Sequence, residues 1–180
     1  MIVCAGNSET FDFATPVGIG LVESAINTTR LCLMEAPAYL LFVGTAGSYG
    51  KHNIFDIVSS KSAANIELSF LQKKSYTPID NLIVSEESQI ASDIIINSSN
   101  YITTDTELSK KMSLLKIDLE NMEFFSIMRT AQELNIPCGG IFIITNYTNE
   151  NAHTDFLNNH KEAMHKLNVH VKDLIAKGLV

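Results

Sequence analysis

The sequence predicts an α/β fold, a three-layer sandwich around a mostly parallel or mixed central sheet. Three observations predict it. Two apolar runs without alternation, Tyr39 to Val43 and Cys138 to Thr145, have the pattern of strands covered on both faces. Segments with helical spacing fall between and after them, at Gly18 to Glu35, Asn121 to Asn135 and Thr154 to Ala176. Strand and helix signals alternate along the chain with no repeat, linker or low-complexity stretch, so residues 1–180 are expected to form one domain.

Each element has a local reason. Ile2 to Ala5 is a short apolar run closed by Gly6-Asn7, a strand and a turn. Leu21, Val22, Ala25, Ile26, Leu31, Cys32 and Leu33 give the first helix a broad apolar face, and Pro37 follows its end. After Tyr39 to Val43 the chain is expected to break into a glycine-rich turn, Gly44 to Gly50. Ile54 to Ser59, Ile66 to Leu71 and Leu114 to Ile117 read as further strands, and Leu82 to Ser85 and Ile94 to Ile96 are two short apolar runs. Thr104 and Asp105 are candidate caps for a short helix. The central helix is stopped before Pro137, and Gly178 is placed to stop the last one.

Composition narrows the functional classes. Hydrophobic residues make up 46% and charged residues 18%, as in a folded globular protein, and the net charge of −7 without a basic run argues against nucleic acid as a partner. The apolar runs are too short to span a membrane. The N-terminus lacks the basic start of a signal peptide. Cys4, Cys32 and Cys138 are odd in number, far apart and in apolar segments, as expected of buried thiols in a reducing cytoplasm. His160, His165 and His170 recur every five residues, a rotation that keeps them from converging on one metal ion.

The polar residues of interest cluster at element junctions. The Gly44–Gly50 segment matches neither the phosphate-loop nor the dinucleotide fingerprint; it is either a turn alone or a place where amides and the Thr45 hydroxyl meet an anion. Tyr101, after the polar turn Asn97 to Asn100, is an aromatic that packs or stacks on a planar ligand. Glu123 stands between Met122 and Phe124-Phe125. It is either a buried carboxylate able to accept two sugar hydroxyls or a surface acid at a helix N-terminus. Thr145 and Asn146 end the second buried strand, where ligands of open α/β sheets collect.

Together, Gly18-Ile19-Gly20 opening a helix, FVGTAG at Phe42 to Gly47, the Asp56-Ile57-Val58 strand, Met122-Glu123 before a helix, and a strand ending in Thr145-Asn146 resemble the purine nucleoside phosphorylase and methylthioadenosine nucleosidase superfamily. The likeness covers most of the chain, which is similar to the short purine nucleoside phosphorylase-like proteins of that superfamily. The resemblance implies that Met122 packs on ribose and Glu123 binds its hydroxyls. It places Tyr101 on the base, the Ile102 backbone at the base edge, Thr45 near the nucleophile and Gly6 in the pocket wall. Asn146 falls where the family has the acid that meets purine N7. An amide there can still hydrogen-bond N7 and a 6-oxo group.

Asn121 falls where nucleosidases carry a carboxylate, and Glu120 reads as one helical step, about 100°, away from that role. The expected activity is therefore phosphorolysis of 6-oxopurine nucleosides by a pentosyltransferase, with phosphate as co-substrate and no metal or organic cofactor. A water-using nucleosidase and a weakened nucleoside-binding protein are the alternatives. A homo-oligomer is expected by the same resemblance.

Overall fold

The computed structural model describes residues 1–180, and its two longest strands lie side by side at the centre. Strand β3 (Leu40–Ser48) is buried along its whole length and runs parallel to β9 (Cys138–Tyr147). Around them β1 (Ile2–Cys4), β2 (Thr15–Pro16), β4 (Ile57–Ser60), β5 (Ser62–Ala64), β6 (Leu82–Val84), β7 (Ile95–Ser98) and β8 (Leu119–Asn121) complete a nine-stranded mixed sheet. Its order is β2-β1-β3-β8-β7-β5-β6, with β9 on the other side of β3 and β4 beyond β9.

Side-chain alternation on the central pair builds the layers. Leu40, Phe42, Cys138, Phe142 and Ile144 face a core shared with Cys32 of α1 (Gly20–Glu35) and with Phe124, Ile127, Met128 and Ala131 of α4 (Phe124–Glu133). Leu41, Val43, Ile141 and Ile143 face Ala163, Leu167 and Val171 of α5 (Ala152–Ala176). Runs without alternation are what a sheet covered on both faces requires, and the expected α/β sandwich is the one observed. Helix α3 (Thr106–Leu114) begins at Asp105, whose carboxylate accepts from the Glu107 and Leu108 amides.

The structure corrects four local expectations. Gly44 to Ser48 is strand, not turn: β3 pairs with β9 throughout, and a Cβ on Gly44 would stand 2.8 Å from the Phe42 ring. Glycine here makes room rather than a bend. Ile66 to Leu71 is not a strand. The Asn97 side chain takes both backbone groups of Ile66, at 2.7 and 3.0 Å, which draws the chain off the sheet into α2 (Leu68–Leu71), a single helical turn. Leu114 to Ile117 closes α3 through a left-handed Lys116 (φ 62°), and the strand begins at Leu119. The helix expected from Asn121 begins at Phe124, because Asn121 still belongs to β8.

Between Ala46 and Gly47 the β3–β9 register shifts by one residue, so that Gly47 pairs with Asn146. This bulge lies where the two long strands end, and bulges often re-aim side chains beside functional sites.

Candidate active site

A cavity of about 300 Å³ opens over the ends of β1, β3, β8 and β9. It is walled by all eight residues singled out from sequence: Gly6, Thr45, Tyr101, Ile102, Asn121, Met122, Glu123 and Asn146. They come from five separate segments, so the sheet, not local sequence, brings them together.

Glu123 is a buried carboxyl rather than a surface one, 3% exposed at the N-cap of α4. Its Oε1 accepts from the Gly20 amide at 3.0 Å, across 103 residues of sequence. The Gly18-Ile19-Gly20 turn thus serves this carboxyl directly. Burial pushes the Glu123 carboxyl up to about 7, and the negative charge of Glu9 pushes the same way against the Gly20 amide.

Asn121 directs its side chain at the protein. Its Oδ1 accepts from the Glu123 and Phe124 amides at 2.8 and 2.9 Å, and its Nδ2 donates to the Thr45 carbonyl at 3.0 Å. It caps α4 and ties β8 to β3, which fixes where Glu123 stands.

Glu9 was not foreseen from sequence. A tight reversal brings it into the wall, with Gly6 and Glu9 exchanging both backbone hydrogen bonds at 3.1 and 2.9 Å, and Gly6 at φ 92°. Thr45 then donates its amide to Glu9 Oε2 at 2.9 Å and its hydroxyl to Oε1 at 2.5 Å. Thr45 therefore holds a carboxylate, not an anion from solution. The available signal was Gly6-Asn7 as a turn, which predicts that the residues just after it fold back over β1.

Glu120 belongs to the wall as well. The segment is strand, so the helical rotation argument against it does not apply; Glu120 and Asn121 point to opposite faces of the sheet. The Tyr49 hydroxyl donates to Glu120 Oε2 at 2.9 Å and the Thr103 amide to Oε1 at 3.0 Å. Burial raises the Glu120 carboxyl above its ordinary range.

Asn146 accepts from the Thr145 hydroxyl at 2.9 Å and donates to the Tyr147 carbonyl at 3.2 Å. Tyr101, 78% exposed, and Ile102 stand at the rim. His153 and Phe156 of α5 complete the wall; the helix begins at Ala152, two residues earlier than the expected Thr154, and so includes His153. The lining contains three carboxyl groups, Glu9, Glu120 and Glu123, and neither lysine nor arginine. Lys51, just beyond β3, pairs with Asp118 at 2.8 Å.

Residues 2–176 match the model of the phosphorylase superfamily, and the chain belongs to that family. No curated protein matches it. Among solved structures it is similar to an aspartate-to-asparagine mutant of the Helicobacter pylori methylthioadenosine nucleosidase with 5′-methylthioadenosine in the active site, at TM-score 0.81 and 19% identity over 98% of this chain and 97% of that one. It is similar to the H. pylori futalosine hydrolase at TM-score 0.80 and 18% identity, over 98% and 96%. The Neisseria meningitidis 5′-methylthioadenosine/S-adenosylhomocysteine nucleosidase in complex with methylthio-immucillin-A follows at 0.78 and 16%, over 97% and 96%. At these identities the likeness establishes the fold.

The expectation of a phosphate-using pentosyltransferase is overturned. The similar structures are nucleosidases and a hydrolase, not transferases. No helix is long and apolar enough to cross a membrane.

Proposed function

We propose that this protein hydrolyses the N-glycosidic bond of a purine nucleoside, with water as the nucleophile. The observation that carries this reading is the make-up of the cavity wall, which holds the carboxyl groups of Glu9, Glu120 and Glu123 and no lysine or arginine. Such a wall suits a neutral sugar, a neutral nucleophile and the positive charge that develops on ribose as the bond opens.

Glu123 accepts hydrogen bonds from the ribose hydroxyls, and Met122 packs against the sugar. Glu9, oriented by both donors of Thr45, takes the proton of the attacking water. Asn121 positions Glu123 and Thr45 rather than touching substrate. Tyr101 stacks on the base, the Ile102 backbone meets its edge, and Gly6 lines the pocket wall. Asn146 donates its remaining amide proton to the base, the other being held by the Tyr147 carbonyl, which favours a 6-oxopurine over a 6-aminopurine. The reaction draws on side chains and water alone, without metal or organic cofactor. The homo-oligomer expected from the resemblance is supported by an apolar stripe on α1, where Val22, Ile26 and Leu33 are 67%, 55% and 69% exposed.

The test is product identity. Inosine and adenosine are incubated with the protein, with and without phosphate, and the sugar product is resolved by chromatography. Free ribose at a rate independent of phosphate is expected; ribose 1-phosphate overturns the reading. A weakened nucleoside-binding protein is the second reading, favoured by the two amides, Asn121 and Asn146, at positions where the resemblance places acids. It predicts thermal stabilisation by nucleosides without turnover.

A further inference from the structure

The nucleosidase reading leaves one step without a group to perform it. Opening the bond from C1′ to N9 pushes an electron pair onto the purine, and a proton arriving at N7 lets the base leave neutral. The Asn146 amide has no acidic proton to give. The sheet, however, sets a carboxyl beside it. Gly47 is the register partner of Glu120 on one side and of Asn146 on the other, and residues paired across strands project from the same face. A Cβ on Gly47 would stand 3.0 Å from Asn146 Nδ2 and 3.3 Å from Glu120 Cγ, so both side chains close over the same bare stretch of backbone.

Both residues line the cavity. The Tyr49 hydroxyl and the Thr103 amide fix the plane of the Glu120 carboxyl from one side, and each oxygen keeps a second lone-pair position.

We propose, resting on the nucleosidase reading, that Glu120 is a catalytic acid that protonates purine N7, working across Gly47 beside Asn146. The step balances as follows. Water oxygen bonds to C1′ while the C1′–N9 bond breaks and its electron pair enters the purine ring. The Glu120 proton passes to N7, and the proton released by water passes to Glu9. Ribose and neutral purine depart, and solvent returns a proton to Glu120 and removes one from Glu9. Asn146 is then free to donate to the 6-oxo oxygen. Burial, which raises the Glu120 carboxyl, enlarges its acid fraction near neutral pH. Tyr49, pushed well above its ordinary range by burial and by the Glu120 charge, stays a neutral donor.

The experiment compares inosine with 7-methylinosine, whose purine already carries a positive charge and leaves without protonation. Wild-type protein and Glu120→Gln are assayed for free ribose on both. The expected result is a loss in kcat of about 100-fold or more on inosine, with turnover of 7-methylinosine close to wild type, which also shows that the variant is folded. Tyr49→Phe is the second variant. Removing a donor to the ionised carboxyl raises its pKa, so the alkaline limb of the wild-type inosine profile moves to higher pH. Equal losses on the two substrates, no loss on inosine, or an unmoved limb in Tyr49→Phe overturns the role of Glu120 while leaving hydrolysis intact. Wild-type protein that releases ribose from neither nucleoside overturns the nucleosidase reading and this proposal with it.

Discussion

Thr45 grips both oxygens of Glu9, giving its amide to one at 2.9 Å and its hydroxyl to the other at 2.5 Å. Two donors in a fixed fork leave the carboxylate a single orientation, with its remaining lone pairs turned to the cavity. Thr45→Val keeps the shape and removes the hydroxyl. It is expected to lower kcat for ribose release by roughly 10- to 100-fold with KM little changed, since proton transfer to a positioned base contributes on the order of 100-fold or more. Thr45→Ser should recover most of the rate. Steady-state kinetics of the three proteins checks this; a Ser variant as slow as Val would remove the hydroxyl from the account.

Glu123 sets a pH dependence. To accept two ribose hydroxyls its carboxyl must be ionised, so kcat/KM is expected to rise as pH passes through about 7. Stability runs the opposite way. A carboxyl raised in the folded state holds its proton more tightly there than in the unfolded chain. That contribution is complete below the unfolded value of 4.5 and is lost as pH rises through about 7. Glu123→Gln should therefore be inactive yet more stable than wild type at pH 8.5, by up to about 3 kcal/mol. Urea denaturation at pH 5 and pH 8.5 measures the difference, and a gap that does not widen with pH counts against the buried, ionising carboxyl.

Asn146→Asp tests the base. An aspartate offers acceptors where the amide offers donors, so preference is expected to move from inosine toward adenosine, whose exocyclic amine donates. The ratio of kcat/KM for the two nucleosides is the readout. A ratio unchanged within a few-fold would place the base edge elsewhere.

Asn121 is expected to matter through structure. Asn121→Ala removes the acceptor for the Glu123 amide and for the Phe124 amide that opens α4, and the donor to the Thr45 carbonyl. A loss of about 2 kcal/mol is expected from a missing cap and unsatisfied buried groups. Asn121→Asp keeps the acceptor and should recover part of that loss, measurable by thermal or urea unfolding.

The layers were legible because burial on both faces writes itself into composition: Tyr39 to Val43 and Cys138 to Thr145 contain no polar interruption. The ends of strands were less so. Gly44 to Ser48 looks like a turn until Phe42 and β9 are in place, since glycine signals a bend and a close approach with the same letter. Glu123 and Asn146 stood out as polar residues at the edges of apolar segments. Glu9 did not, because its partner Thr45 is 36 residues away and no local pattern records a fork across that distance. Glu120 was set aside by assuming helical geometry one turn too early; strand alternation at that residue reverses the conclusion.

The three wall carboxyls lie at positions 9, 120 and 123, and the amide that holds Glu123 lies at position 20. No fragment of the chain contains enough of them to recognise a nucleoside. Occupancy is thereby linked to the whole folding equilibrium instead of to one mobile loop. A ligand at 100 times its dissociation constant adds about 2.7 kcal/mol to that equilibrium. On the proposed reading, nucleoside would therefore guard every part of the chain against unfolding together, the first strand and its turn as much as α4.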